Sequence, residues 1–138
     1  MTYTKVTFPE GFTIEKMALR LDTKVPRLAA AAFEQAAADG SVRSKYLPID
    51  QNSLEGLLFP DTYQVSNGES EAQVATRMVG LFERVAAQES LDARAKELGI
   101  TPYQAIIVAS LIEREAKVEA DRPKIARVIY NRLALKMP

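Results

Sequence analysis

The sequence predicts an α+β fold dominated by helices, with short β elements near residues 4–8 and 57–65. Three observations carry this expectation. Two S/T-x-x-Q capping boxes each open a stretch of helical pattern, an alanine-rich run covers residues 29–38, and residues 4–8 alternate in a β-favouring pattern.

Taken in order, TKVTF at residues 4–8 reads as a strand, and Pro9-Glu10-Gly11 turns the chain into a helix with Thr13 as N-cap. The stripe Ile14, Met17, Ala18 and Leu21 gives that helix an apolar face. Pro26 stands where a first helical turn tolerates it, so residues 28–38 read as a second helix, stopped by Asp39-Gly40 and paired with the first. Residues 41–67 contain Pro48, Gly56 and Pro60 without helical periodicity and read as loops around a short strand or two. Ser70-Glu71-Ala72-Gln73 opens a long helix to about residue 88, with Val74, Met78, Leu81 and Val85 on one face. A short helix over residues 92–98 ends at Gly99, and Thr101-Pro102-Tyr103-Gln104 opens the next. A last helix starts near Asp121 and contains Ile125, Val128, Ile129 and Leu133; it reaches Pro138 without a capping signal.

Composition sets the limits on chemistry. The 138 residues, 47% hydrophobic and 26% charged, are those of an ordinary soluble domain with enough surface to bury a core, and one compact domain is the expectation. Cysteine and histidine are both absent. That excludes thiol nucleophiles, Ser-His triads, Cys/His zinc sites and imidazole acid–base catalysis, leaving carboxylates, Lys, Tyr, Ser and Thr. The lack of thiols agrees with an oxidising compartment without requiring one. Eighteen basic residues balance eighteen acidic ones, so no net field draws the chain to nucleic acid or an anionic membrane. No apolar run approaches the ~20 residues of a membrane span, and no leader pattern opens the chain.

The apolar run of residues 105–112 leads directly into Glu113-Arg114-Glu115. At about 100° per residue, Glu113 projects within roughly 40° of Ala109, in the small and apolar arc, whereas Glu115 falls at the flank and Arg114 opposite. Burial disfavours a charged carboxylate and keeps it protonated near neutral pH, the requirement for a general acid. A second reading has Glu113 paired with an arginine as a strut between helices. Arg132 shares its direction with Val128 and Ile129 and also faces inward; acid catalysis by Glu113 requires that Arg132 pair instead with Glu115 or Glu119. Lys117, Arg122, Lys124, Arg127 and Lys136 read as a solvated basic face. Two helices joined by a turn at residues 117–121 imitate a DNA-reading helix-turn-helix, but Pro123 and the acids Glu113, Glu115, Glu119 and Asp121 oppose phosphate approach, so no nucleic-acid partner is expected.

Three motifs in register, LEGLLFPDTY at residues 54–63, ASLIERE at 109–115 and IYNRL at 129–133, resemble the endolytic murein transglycosylase (YceG-like) family. The opening VTFPEGFT at residues 6–13 is similar to the family's approach segment, which extends the resemblance over nearly the whole chain: an approach segment at 1–50 and part of the catalytic core at 51–138. The resemblance implies a bacterial, membrane-anchored enzyme on the extracytoplasmic face. It would cut peptidoglycan glycan strands internally and leave 1,6-anhydro-N-acetylmuramyl ends, with Glu113 as the catalytic residue. One carboxyl group serves as acid and then base, the N-acetyl group of the sugar assists at C1, and exclusion of water favours ring closure. No cofactor or metal is implied.

Tyr63 and Phe59 are candidates to line a sugar cleft, or else pack their loop onto the helices; Asn131 is a candidate to orient a substrate amide. Glu55 and Asp61 read as supporting groups that cap helices or hold the loop. Compared with the family, the chain is expected to lack the membrane helix, a preceding LysM-like portion and a further catalytic stretch after Pro138, so contact with a membrane would come through a parent protein. Partners would be glycan strands and cell-wall synthesis proteins. The alternatives are a glycan-binding or division-complex scaffold and an aminodeoxychorismate lyase, the latter opposed by the absence of a glycine-rich phosphate loop.

Overall fold

Strand β1 (Tyr3–Thr7) and strand β2 (Thr62–Ser66) pair antiparallel, with Tyr3 opposite Ser66, Lys5 opposite Gln64 and Val6 opposite Tyr63. The computed structural model describes residues 3–118, with side chains through residue 111. Between the strands lie α1 (Ile14–Lys24) and α2 (Ala30–Ala36); after them come α3 (Glu71–Gln88), α4 (Leu91–Leu98) and α5 (Pro102–Val118). This is the α+β class predicted, mainly helical, with both β elements near their expected positions. The chain divides into two compact units, Met1–Glu83 and Arg84–Pro138, and the division falls inside α3.

In the first unit the strands bury alternate residues. Val6, Tyr63 and Val65 are enclosed, while Lys5, Thr7, Thr62, Gln64 and Ser66 are exposed, the period-two pattern of a sheet covered on one face. Helix α1 buries Ile14, Met17, Ala18 and Leu21, the predicted stripe, and packs on both α2 and β1. Thr13 caps it, accepting from the Lys16 N–H at 3.3 Å.

Helix α2 is shorter than the expected 28–38. Its first residues are claimed by distant carboxylates: the Ala29 N–H donates to Glu71 at 2.9 Å and the Ala30 N–H to Asp22 at 3.0 Å, with Ala29 extended as N-cap. Residues 38–61 have no regular element, an unusual length for a connection. It is tied down instead. The Glu83 carboxylate accepts from the Ser44 hydroxyl and the Lys45 N–H, both at 2.8 Å. Tyr46 meets Phe82 edge-on at 6.2 Å, and the Leu54 N–H donates to the Ala37 carbonyl at 2.8 Å.

Both capping boxes are formed as the sequence predicts. Ser70 and Gln73 exchange bonds of 2.8 and 3.2 Å at the start of α3, and Thr101 and Gln104 exchange bonds of 2.9 and 3.1 Å at the start of α5. In the second unit α4 packs on α5, with Ala95 and Ile106 buried. Helix α5 runs through Lys117 and Val118, where the sequence suggested a turn. The helix expected from Asp121 lies outside the described residues. Among the described residues no helix is long and apolar enough to cross a membrane.

Candidate functional site

The motif at residues 54–63 is built around a tight turn in which the Leu57 N–H donates to the Leu54 carbonyl at 2.8 Å. Gly56, third of the four residues, has φ +85°, a conformation that L side chains disfavour. Leu54, Leu57 and Leu58 anchor the turn in the core. Glu55, at its second position, reaches back to α1. Its carboxylate oxygens accept from the Ile14 N–H at 3.1 and 3.3 Å, which satisfies a helix donor and puts negative charge at the helix N-terminus. Of the roles the sequence suggests for Glu55, helix capping is the one formed.

Asp61 holds the entry to β2. Its carboxylate accepts from the Thr62 N–H at 2.7 Å, and its backbone carbonyl accepts from the Phe8 N–H at 3.0 Å. Phe59 is half-buried, and its N–H donates to the Met78 carbonyl at 3.2 Å. Tyr63 is 5% exposed; its hydroxyl donates to the Phe59 carbonyl at 2.6 Å, and its ring lies 5.9 Å from that of Phe8. The Arg77 guanidinium sits 5.8 Å from the centre of the same ring. Phe59 and Tyr63 therefore pack the motif onto α3 and the sheet.

Arg77 was not legible as part of this assembly. It donates to the Gln64 carbonyl at 3.0 Å and to both carboxylate oxygens of Glu69 at 2.7 Å. Glu69 precedes α3, so the pair has no helical i,i+4 signature, and only the reversal at residues 66–70 brings them together.

Glu113 and Glu115 lie in the last two turns of α5, in the second unit. The helix is continuous through the whole of the 109–115 motif. Seven residues before Glu113, Ile106 is buried; Ile107, Val108 and Ala109 are half-buried and Leu111 is 50% exposed. Glu55, Phe59, Asp61 and Tyr63 thus share the first unit, whereas the two α5 acids belong to the other. Asn131 and Arg132, with Glu119 as a suggested partner, lie outside the described residues.

The pattern of the YceG-like family matches residues 1–138. An endolytic murein transglycosylase of Streptococcus pneumoniae is 30% identical over 152 aligned positions, covering 96% of this chain and 27% of that protein. Another, from Bacillus subtilis, is 35% identical over 88 positions, covering 64% of this chain and 24% of that protein. A crystal structure of a yceG-like protein from Listeria monocytogenes superposes with a TM-score of 0.70 at 28% identity, over 96% of this chain and 48% of that one. The chain therefore spans about a quarter of the length of these curated relatives.

Proposed function

The chain belongs to the YceG-like family, and from that premise we propose that it supplies the catalytic carboxyl group of an endolytic peptidoglycan transglycosylase. Glu113 is the acid. It donates its proton to the oxygen of the MurNAc–GlcNAc linkage as the bond from that oxygen to C1 breaks. The C6 hydroxyl oxygen then bonds to C1, and the Glu113 carboxylate takes the hydroxyl proton. One strand ends in a 1,6-anhydro ring, the other leaves with a free hydroxyl, no water is consumed and Glu113 is protonated again. The acetamido group of the sugar stabilises C1, so no second carboxylate is required.

The observation that carries this reading is the family match over the full chain, with relatives named for this reaction. An unbroken α5 supports it, because an acid on a regular helix is held more accurately than one on a loop. Asn131 serves the sugar, and acid catalysis requires that Glu113 be left without an arginine partner. Because the substrate lies outside the cell membrane, the domain works on the extracytoplasmic face, within a longer membrane-anchored protein and beside cell-wall synthesis proteins.

The test is digestion of purified glycan strands by the intact protein, with mass spectrometry of the ends. Wild type is expected to produce anhydro ends and Glu113→Gln to lose them by at least about a hundredfold, the usual range for a general acid. Equal product from both would remove Glu113 from the reaction.

A further inference from the structure

Away from the residues of the proposed reaction, the first unit carries an open groove of about 730 Å³ between β2 and the first turns of α3. Its walls include Tyr3 of β1, Gln64 and Ser66 of β2, and Gln73, Thr76 and Arg77 of α3. Resting on the reading that this protein acts on glycan strands, we infer that the groove is an accessory subsite for the uncharged N-acetylglucosamine units of those strands.

Charge is the first argument. Only Glu69 and Arg77 among the lining residues are charged, and they neutralise each other at 2.7 Å. The groove therefore has no bias toward phosphate or carboxylate ligands. The polar groups that remain are neutral and of the kind an acetamido sugar matches. Gln64 has an exposed side chain with no hydrogen bond among the described residues. The Gln73 oxygen is held by the Ser70 N–H, which leaves its NH2 group as a donor. Tyr3 is 47% exposed and offers an apolar ring face with a hydroxyl at its rim, suited to the two-sided character of a pyranose.

Shape and rigidity point the same way. Gln64 and Ser66 lie on one side of the sheet about 7 Å apart, and Gln73 and Thr76 are neighbours on one helix face. Polar groups spread along a strand and a helix suit a chain polymer better than a compact ligand. The walls are held before any ligand arrives: Arg77 ties α3 to the Gln64 carbonyl at 3.0 Å, and Arg27 donates to the carbonyls of Ser66 and Glu69. The volume lies within the range of ordinary ligand sites.

The probe is the neutral tetramer of N-acetylglucosamine, which contains no muramic unit and is not converted to an anhydro product. Titrated into the 15N-labelled full chain, it is expected to shift the Tyr3 amide and the Gln64 and Gln73 side-chain NH2 signals saturably, with a Kd of about 1 mM. Tyr3→Ala and Gln64→Ala should each weaken binding by roughly fivefold, the scale of one aromatic or polar contact, with the remaining spectrum unchanged. Absence of saturable shifts in the groove, wild-type affinity in Tyr3→Ala, or binding of peptide-bearing fragments but not of the tetramer would each overturn the subsite. If those failures occur while wild type still makes anhydro ends, the subsite alone is wrong. Groove binding without anhydro product supports the subsite and counts against the catalytic reading.

Discussion

Arg77 Nη1 lies 2.7 Å from both carboxylate oxygens of Glu69 and at the same time donates to the Gln64 carbonyl at 3.0 Å. One side chain thereby joins α3, the turn that precedes it and β2. The Arg77 side chain is 43% exposed, so solvent screens the ion pair and most of its value comes from the backbone bond and its position over the Tyr63 ring. Arg77→Ala is expected to lower stability by about 1–2 kcal/mol and Glu69→Gln by less than about 1 kcal/mol. Urea denaturation of the two variants checks the order; equal losses would make the ion pair the main contribution.

Glu55 caps α1 from a loop, so its loss should be a stability effect. Glu55→Ala is expected to cost about 1 kcal/mol, as for other lost caps, and Glu55→Gln about 0.5 kcal/mol, since the amide oxygen still accepts from Ile14 but the charge is gone. In the glycan digestion, folded Glu55→Gln should form anhydro ends at the wild-type rate. A large drop in rate with stability retained would reassign Glu55 to the chemistry.

Gly40 ends the reversal after α2 with φ +85°, and a Cβ there would lie 2.9 Å from the Asn52 Oδ1. That oxygen accepts from Arg43 at 3.1 Å, so moving it breaks a bond that holds the 41–52 loop. Gly40→Ala should therefore cost more than the ~1 kcal/mol of a left-handed alanine alone, about 2–3 kcal/mol in total. Thermal unfolding measures it, and a loss below about 1 kcal/mol would mean that Asn52 yields freely.

Asp39 supplies a pH dependence. The Ser41 hydroxyl, together with the Ser41 N–H at 2.8 Å, donates to its carboxylate and holds its pKa below the ordinary 3.8. The folded state thus favours the ionised form. Its contribution is complete above the unfolded pKa and is lost as pH falls through the folded one, a window that begins near pH 4 and extends downward. Carboxyl 13C titration should find Asp39 below 3.8 in wild type and nearer to it in Ser41→Ala, with a shallower acid limb of stability. An unmoved Asp39 in Ser41→Ala would assign the shift to other groups.

Thr13, Ser70 with Gln73, and Thr101 with Gln104 were legible because a cap acts on N–H groups three residues or fewer away. The Ile14, Met17, Ala18, Leu21 stripe was legible for a related reason: helical period alone puts those residues on one side. The start of α2 was not, since its N–H groups go to Asp22 and Glu71, and a local reading continues the alanine-rich run into residues 28 and 29. Within the candidate site, the position of Glu113 on one unbroken helix followed from the capping box and the apolar run before it.

By itself, then, the sequence determined the capped starts of α1, α3 and α5, the apolar stripe of α1, the alternation of β1, the family resemblance and the exclusion of thiol and imidazole chemistry, all of which depend on residue type and near neighbours. Only the tertiary structure decided that Glu55 caps a helix 41 residues earlier, that Ser44 meets Glu83 across 39 residues and that Arg77 closes on Gln64 and Tyr63. Such partners share no local period. A carboxylate or guanidinium far along the chain has many equivalent donors and acceptors within reach until closure of the loops and burial of the core leave it one.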